Sequence, residues 1–461
     1  MLTFALTLVF GLLSWRLVFP PLALMVFLFL DPLSTPGTAA AVPYSDYTRT
    51  MVWGGLLGAA LTSMTTLYRD RNNGDGGRFA WRVATVCAAM FVLIRISVAL
   101  CGHYYGVGSD TASFGPLTLV IVLAYLFDLR AWWCFGLMLV FQLGLSLYII
   151  ANPDSPMNGV FMKVESADQM DRTVFNLVNQ TEIVGARYPA QFGNTLYMAV
   201  HAAVGVVAGL ALLIWSRGCA VQKKVLAVLA GTGLIMAGAY LLGVSASRGI
   251  MIGLAFGILI HFLRARGPGR FIVLVLALLG LLVVGDQLVG MLPEDDPLWG
   301  RFVELRNYQQ TEDYRIEAMR NGIDAILGSP VLGWGDFYLA LEAADGFMPH
   351  IGPYSLAVLH GLPVGLLACL ILVWAGMSDW TAKNVRTLES APEFRALCGF
   401  ATMSFWTAFA AIMTNGYVAA SFLYIILGVA MWPMIYRPPL EEPQLETVPD
   451  DDLKPQIAGE R

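Results

Sequence analysis

The chain has 461 residues, of which 57% are apolar and only 13% charged, with a net charge of −5. A soluble domain carries roughly 25% charged residues, so a water-soluble globular protein is excluded. The acidic surplus sits mostly in the C-terminal tail and gives no sign of nucleic-acid binding. The mean hydropathy is +0.65, and the apolar residues cluster into windows near the ~20 residues that cross a bilayer. The class is therefore an all-α polytopic membrane protein; a β-barrel would show short alternating segments instead.

In chain order the apolar windows fall near 2–30, 50–68, 79–101, 113–127, 131–151, 194–216, 223–244, 249–264, 271–290, 355–377, 394–414 and 416–435. Trp15-Arg16 and Pro20-Pro21 interrupt the first window. It crosses once as a kinked helix or twice as a hairpin, giving about 12 or about 13 transmembrane helices. Ala39-Ala-Ala41 resembles a cleavage site, but no Lys or Arg precedes the first apolar run, so an uncleaved first segment is expected.

Basic residues favour the cytoplasmic side of short loops. Arg69, Arg71, Arg78, Arg130, Arg217, Lys223, Lys224, Arg264, Arg266, Arg270, Lys383, Arg386 and Arg437 fall in alternate connections and agree with one another. The long loops 152–193 and 291–354 then lie on the opposite, extracytoplasmic side. Both mix charge with aromatic and apolar residues, so both are expected to be folded. The expected organisation is one transmembrane domain over 1–436, with loop 291–354 as a helical cap on the outer face. The Pro-, Glu- and Asp-rich tail 437–461 is expected to be disordered and cytoplasmic. Cys87, Cys101, Cys134, Cys219, Cys369 and Cys398 show no paired spacing and read as buried thiols rather than metal ligands.

The residues able to carry chemistry concentrate toward the outer face. Ser245-Ala-Ser247-Arg248-Gly249 links two helices there. Ser245 or Ser247 can cap the second helix. A guanidinium beside a helix N-terminus makes an anion site, although an arginine can also snorkel to the interface. A second signal is a helix over Glu312–Leu327, started by Thr311 and ended by Pro330. Its stripe Ile316, Met319, Ile323 and Ile326/Leu327 is expected to face the membrane domain. Arg315 near its start is an anion ligand or half of an ion pair, and Arg320 lies one turn on.

His350 precedes a helix beginning near Tyr354. A neutral imidazole accepts a proton from a hydroxyl near pH 7; a lone histidine can equally be structural. His360 reads as a packing residue, and His103 has no supporting pattern. Arg95 and His201 lie inside apolar windows, each about seven residues, roughly 10 Å, from the outer end. Ionisable groups at such depth are costly and mark function or pairing within the bundle.

Taken in order, Ser245-x-Ser247-Arg248-Gly249, Arg315 with its helix into Pro330-Val-Leu-Gly-Trp-Gly335, then His350 and Gly361-Leu-Pro-Val-Gly365, this chain resembles the O-antigen ligase and O-antigen polymerase family. The resemblance implies a membrane glycosyltransferase that moves a glycan from undecaprenyl diphosphate to an acceptor glycan or lipid A–core, without a metal or bound cofactor. It implies Arg248 and Arg315 as diphosphate ligands and His350 as the catalytic group on the acceptor hydroxyl. Arg95, His201, Ser247 and Arg320 are possible accessory residues. Ile351 stands where the family often has Asn. Ligase and polymerase share a donor and are not separated by these motifs. A transporter or flippase for an anionic solute or lipid is the rival from another class, weakened by the absence of visible repeats.

Overall fold

A computed structural model describes residues 2–14, 46–101, 107–125, 130–152, 195–245, 247–264, 310–346, 348–349, 351–381, 392–414 and 421–436. Fourteen helices occur among them: α1 Leu2–Ser14, α2 Asp46–Asp70, α3 Gly74–Cys101, α4 Val107–Tyr125, α5 Arg130–Ala151, α6 Thr195–Ser216, α7 Val221–Ser245, α8 Arg248–Arg264, α9 Gln310–Gly328, α10 Phe337–Ala343, α11 Gly352–His360, α12 Leu362–Thr381, α13 Pro392–Thr414 and α14 Ser421–Ile435. Four of them are long and apolar enough to cross a membrane, at Gly74–Cys101, Met198–Ser216, Val221–Ser245 and Phe394–Met413. The windows at 271–290 and the tail 437–461 lie outside the described residues, as does loop 152–193 apart from Asn152.

Helix α14 is the axis of the bundle. Every described residue from Leu423 to Pro433, and from Ala112 to Ala124 in α4, is buried. A helix apolar on all sides belongs at the centre of a bundle, and α3, α4, α12 and α13 surround α14. Trp432 is fully buried; it stacks on Tyr436 at 5.1 Å and meets Trp132 edge-on at 5.6 Å. Elsewhere small residues let backbones approach, the usual device where lipid tails are as apolar as the side chains. Gly209 of α6 faces Gly231 of α7, and Gly253 and Gly257 of α8 lie against the Met403–Ala410 stretch of α13.

These contacts fix which helix ends coincide. Gly76 at the start of α3 meets Ile435 at the end of α14. Phe394 near the start of α13 meets Trp432 and Tyr436 at that same end. The opposite end therefore gathers the end of α3, the start of α14 and the end of α13. Helix α8 runs antiparallel to α13, so it begins there, at Arg248. Helices α6 and α7 pair antiparallel through Ala202–Gly238 and Gly209–Gly231, which puts the start of α6 at this end too.

One expectation changes. The apolar window 355–377 is two helices, α11 and α12, broken at Gly361, whose φ of +90° no ordinary helical residue adopts. Helix α1 runs parallel to α2: Gly54 packs on Phe4 and Leu8, Gly58 on Leu8 and Leu12, and Thr62 Oγ1 donates to the Leu12 carbonyl at 3.4 Å.

Candidate functional site

The joint between α11 and α12 lies toward the bundle end where α8 begins, since His360 meets Ser97, four residues from the end of α3. Its geometry starts from a hydrogen-bonding deficit. The last carbonyls of a helix have no intrahelical partner, and α11 is only nine residues long. The turn after α9 supplies the donors: Trp334 N–H and Gly335 N–H donate to the Leu359 carbonyl at 3.0 and 2.7 Å. In return Leu362 N–H donates to the Pro330 carbonyl at 2.8 Å. This double exchange needs the two backbones almost in contact. Gly333 has no room for a side chain against the His360 and Gly361 amides, nor Gly361 against the Val331 carbonyl. Both are glycines with positive φ, +62° and +90°. Trp334 anchors the turn back to α9, its indole N–H donating to the Ala325 carbonyl at 2.9 Å. The Gly-Trp-Gly signal, weak in the sequence, is thus the clasp that joins α9 to the α11–α12 joint.

Helix α9 meets α11 a second time. The Tyr354 hydroxyl donates to the Met319 carbonyl, and Gly322 lies against the Tyr354 ring and Pro349. The face that α9 turns inward is made of small residues: Ala318, Gly322 and Ala325 are buried. This corrects the expected orientation. Ile316, Met319, Ile323 and Leu327 are exposed, at 51%, 46%, 54% and 70%. Only Ile326 of the expected stripe packs inward, against Ala325, Ala340, Ala344 and Val358. Small residues win the inner face because Tyr354 and Trp334 bring the backbones too close for larger ones.

His350 lies outside the described residues, as do the side chains of Arg248 and Arg315. Their chain positions are informative. Arg248 is the first residue of α8, and the Ser247 carbonyl accepts the Met251 N–H at 3.1 Å. Ser247 is therefore the N-cap. Ser245 Oγ instead donates back to Leu242 at 2.7 Å and is spent inside α7. Arg315 lies two turns before Gly322 on α9, the helix that touches Pro349. Arg320 is exposed.

On either side of His350, Pro349 is buried and Ile351 half-buried. Ile351 is the extended N-cap of α11, with φ −109° and ψ 117° and no side-chain capping bond. Ser355, buried on the first turns of α11, is one residue that sequence reading missed. Its hydroxyl is in reach of the Pro349 carbonyl and of the Ile351 carbonyl at 3.1 Å, the two that flank His350.

Beneath the clasp lies a buried polar layer. His360 Nδ1 shares a hydrogen bond with Ser97 Oγ of α3 at 3.2 Å. Its Nε2 is buried with no partner among the described residues. The Arg95 guanidinium, two residues before Ser97 on α3, sits 4.9 Å from the Trp53 ring centroid. Arg95 is six residues from the end of α3, about 9 Å deep at 1.5 Å per residue. His201 is buried six residues into α6, at a matching depth from the same end. His360 is thus a packing residue, as its sequence context implies, but it packs as part of a polar seam. Ser97 and Trp53 are ordinary helix residues in sequence and carry no signal that would have found them.

A multi-pass helical membrane protein with a folded helical segment clasped onto one end of the bundle is the class these features define. Residues 232–369 match the family model described as O-Antigen ligase, a span running from α7 through the clasp and into α12. The matched segment is thus similar to the O-antigen ligase family, and it includes the positions of Arg248, Arg315 and His350. No curated protein matches the chain.

Proposed function

We propose that this protein is an inverting, metal-independent glycan transferase at the periplasmic face of a bacterial inner membrane, with undecaprenyl diphosphate as the donor carrier. The observation that best supports the reading is the contact of α9 with Pro349 at Gly322. It sets the helix bearing Arg315 directly against the residue preceding His350. Helix α8, which begins at Arg248, starts at the same end of the bundle. The parallel α1–α2 pair favours a first window that crosses twice, and so about 13 spans.

The chemistry follows from charge. Arg248 and Arg315 grip the diphosphate, and each guanidinium–phosphate pair at ~4 Å contributes about 4 kcal/mol of attraction at an effective dielectric of 20, before desolvation. That attraction grows as charge builds on the leaving phosphate. His350 takes the proton of the acceptor hydroxyl as its oxygen attacks the anomeric carbon. The carbon–oxygen bond to phosphate breaks, undecaprenyl diphosphate leaves with the electron pair, and the anomeric centre inverts. Ser355 steadies the backbone on both sides of His350 in place of the amide that Ile351 lacks.

The test is complementation of a deletion strain. His350→Ala protein at normal membrane levels should give no glycan transfer. Arg248→Ala and Arg315→Ala should be severe, and the Lys variants should retain part of the activity. Normal surface glycan from His350→Ala would remove the histidine from the mechanism. A gel of surface polysaccharide from the deletion strain separates the acceptors. Loss of all glycan from lipid A indicates a ligase, a single remaining repeat unit a polymerase, and an unaffected lipid A an exopolysaccharide polymerase. The transporter reading loses ground because the matched domain covers the segment with the Arg and His candidates; a transporter would consume no lipid-linked donor.

A further inference from the structure

We infer that α9 is sunk into the acyl region of the outer leaflet along its apolar edge, and that the cap is seated on lipid as well as on the bundle. Helix α9 has three faces rather than two. Ala318, Gly322 and Ala325 face α10 and α11; Glu317, Arg320 and Asp324 are exposed on a polar arc; Ile316, Met319, Ile323 and Leu327 are exposed on an apolar arc. At 100° per residue these three arcs occupy different sectors of one helix. A helix with separate charged and apolar outer faces is the form that lies in a membrane interface.

What covers the apolar arc is indicated by what it joins. Val331, 65% exposed, continues the arc beyond the end of α9. The Leu362 N–H bond to Pro330 brings Val331 beside Leu362, which opens α12. Leu362, Leu366, Cys369, Val373 and Met377 are all exposed, and at 100° per residue they form one stripe down this apolar helix. In a membrane protein such a stripe faces lipid. The exposed apolar stripe of α12 therefore comes beside Val331, four residues beyond Leu327 at the end of the α9 arc. Large apolar side chains left in water on a surface helix are unfavourable; contact with the bilayer removes that cost. The occupant is the phospholipid acyl chain.

The experiment needs no donor, so its result is independent of the glycosyltransferase reading. A bimane fluorophore is placed at Ile323→Cys or Glu317→Cys in full-length protein whose native cysteines are replaced. Should that background fail to fold, the same fluorophore is attached through an azide side chain at 323 or 317 in the otherwise native chain. Protein is reconstituted in vesicles with or without phospholipid brominated on its acyl chains. The 323 label should lose most of its fluorescence in brominated bilayers while the 317 label keeps it. Absence of quenching at 323, or equal quenching at both sites, overturns the inference. So does bismaleimide cross-linking of two Ile323→Cys chains with no quenching, which assigns the face to a second copy.

Discussion

The core around α14 and the clasp around Gly361 hold helices together by different means. In the core, α4 and α14 are apolar on every side and are fixed by the bulk of residues such as Trp432, Phe114 and Tyr424. In the clasp, the residues packed between α9, α10 and α11 are small, and position comes from named bonds: Trp334 and Gly335 to Leu359, Leu362 to Pro330, Trp334 Nε1 to Ala325. Bulk tolerates isosteric exchange. Backbone bonds between two left-handed glycines tolerate almost none. The part of the molecule proposed to carry the chemistry is the part held by direction rather than volume, which suits a site whose groups must keep their geometry.

Substitutions can break this contrast at either pole. The largest loss is expected from Trp432→Ala, which leaves a cavity worth about 3–5 kcal/mol and should lower the amount of folded protein in membranes, measured by detergent-resistant fluorescence. Gly361→Ala should leave protein level near normal and remove transfer. Its side chain meets the Val331 carbonyl, and the φ of 90° and ψ of 161° at this position, nearly restricted to glycine, cost another residue about 1–3 kcal/mol; protease nicking between 310 and 361 should rise with it. Trp334→Phe keeps the ring but strands the Ala325 carbonyl, a loss of about 0.5–1.5 kcal/mol, visible as reduced transfer and faster nicking at the same place. The smallest effect belongs to Gly233→Ala in α7, where nothing lies within 4 Å of an added side chain. It should be neutral, or raise stability by about 0.5–1 kcal/mol. A Gly361→Ala protein as active as Gly233→Ala would erase the distinction between core and clasp.

The bundle was legible in the sequence because burial in a membrane is written in long apolar runs. The windows 79–101, 194–216, 223–244 and 394–414 correspond to α3, α6, α7 and α13 with ends a few residues apart. Helix α9 was legible as well, from Thr311 to the stop at Pro330. Its orientation was not. Periodicity showed an apolar stripe on α9 but not the medium that stripe meets, and the inner face, Ala318-Gly322-Ala325, is nearly silent on a hydrophobicity reading. The break at Gly361 was hidden for a related reason: α11 and α12 are both apolar, and only the φ of one glycine divides them. Ser355 and Ser97 were invisible because a hydroxyl's role depends on partners six and 263 residues away. The order of Arg248, Arg315 and His350 pointed to the correct domain, since the matched span 232–369 contains all three.

The most direct test is turnover by purified, reconstituted protein given an undecaprenyl-diphosphate-linked oligosaccharide and an acceptor glycan, with donor binding measured on the same samples. His350→Ala should bind donor like the native protein and release no undecaprenyl diphosphate, while Arg248→Ala and Arg315→Ala should bind it poorly. Native rates of release from His350→Ala, or full donor binding by both arginine variants, would contradict the account.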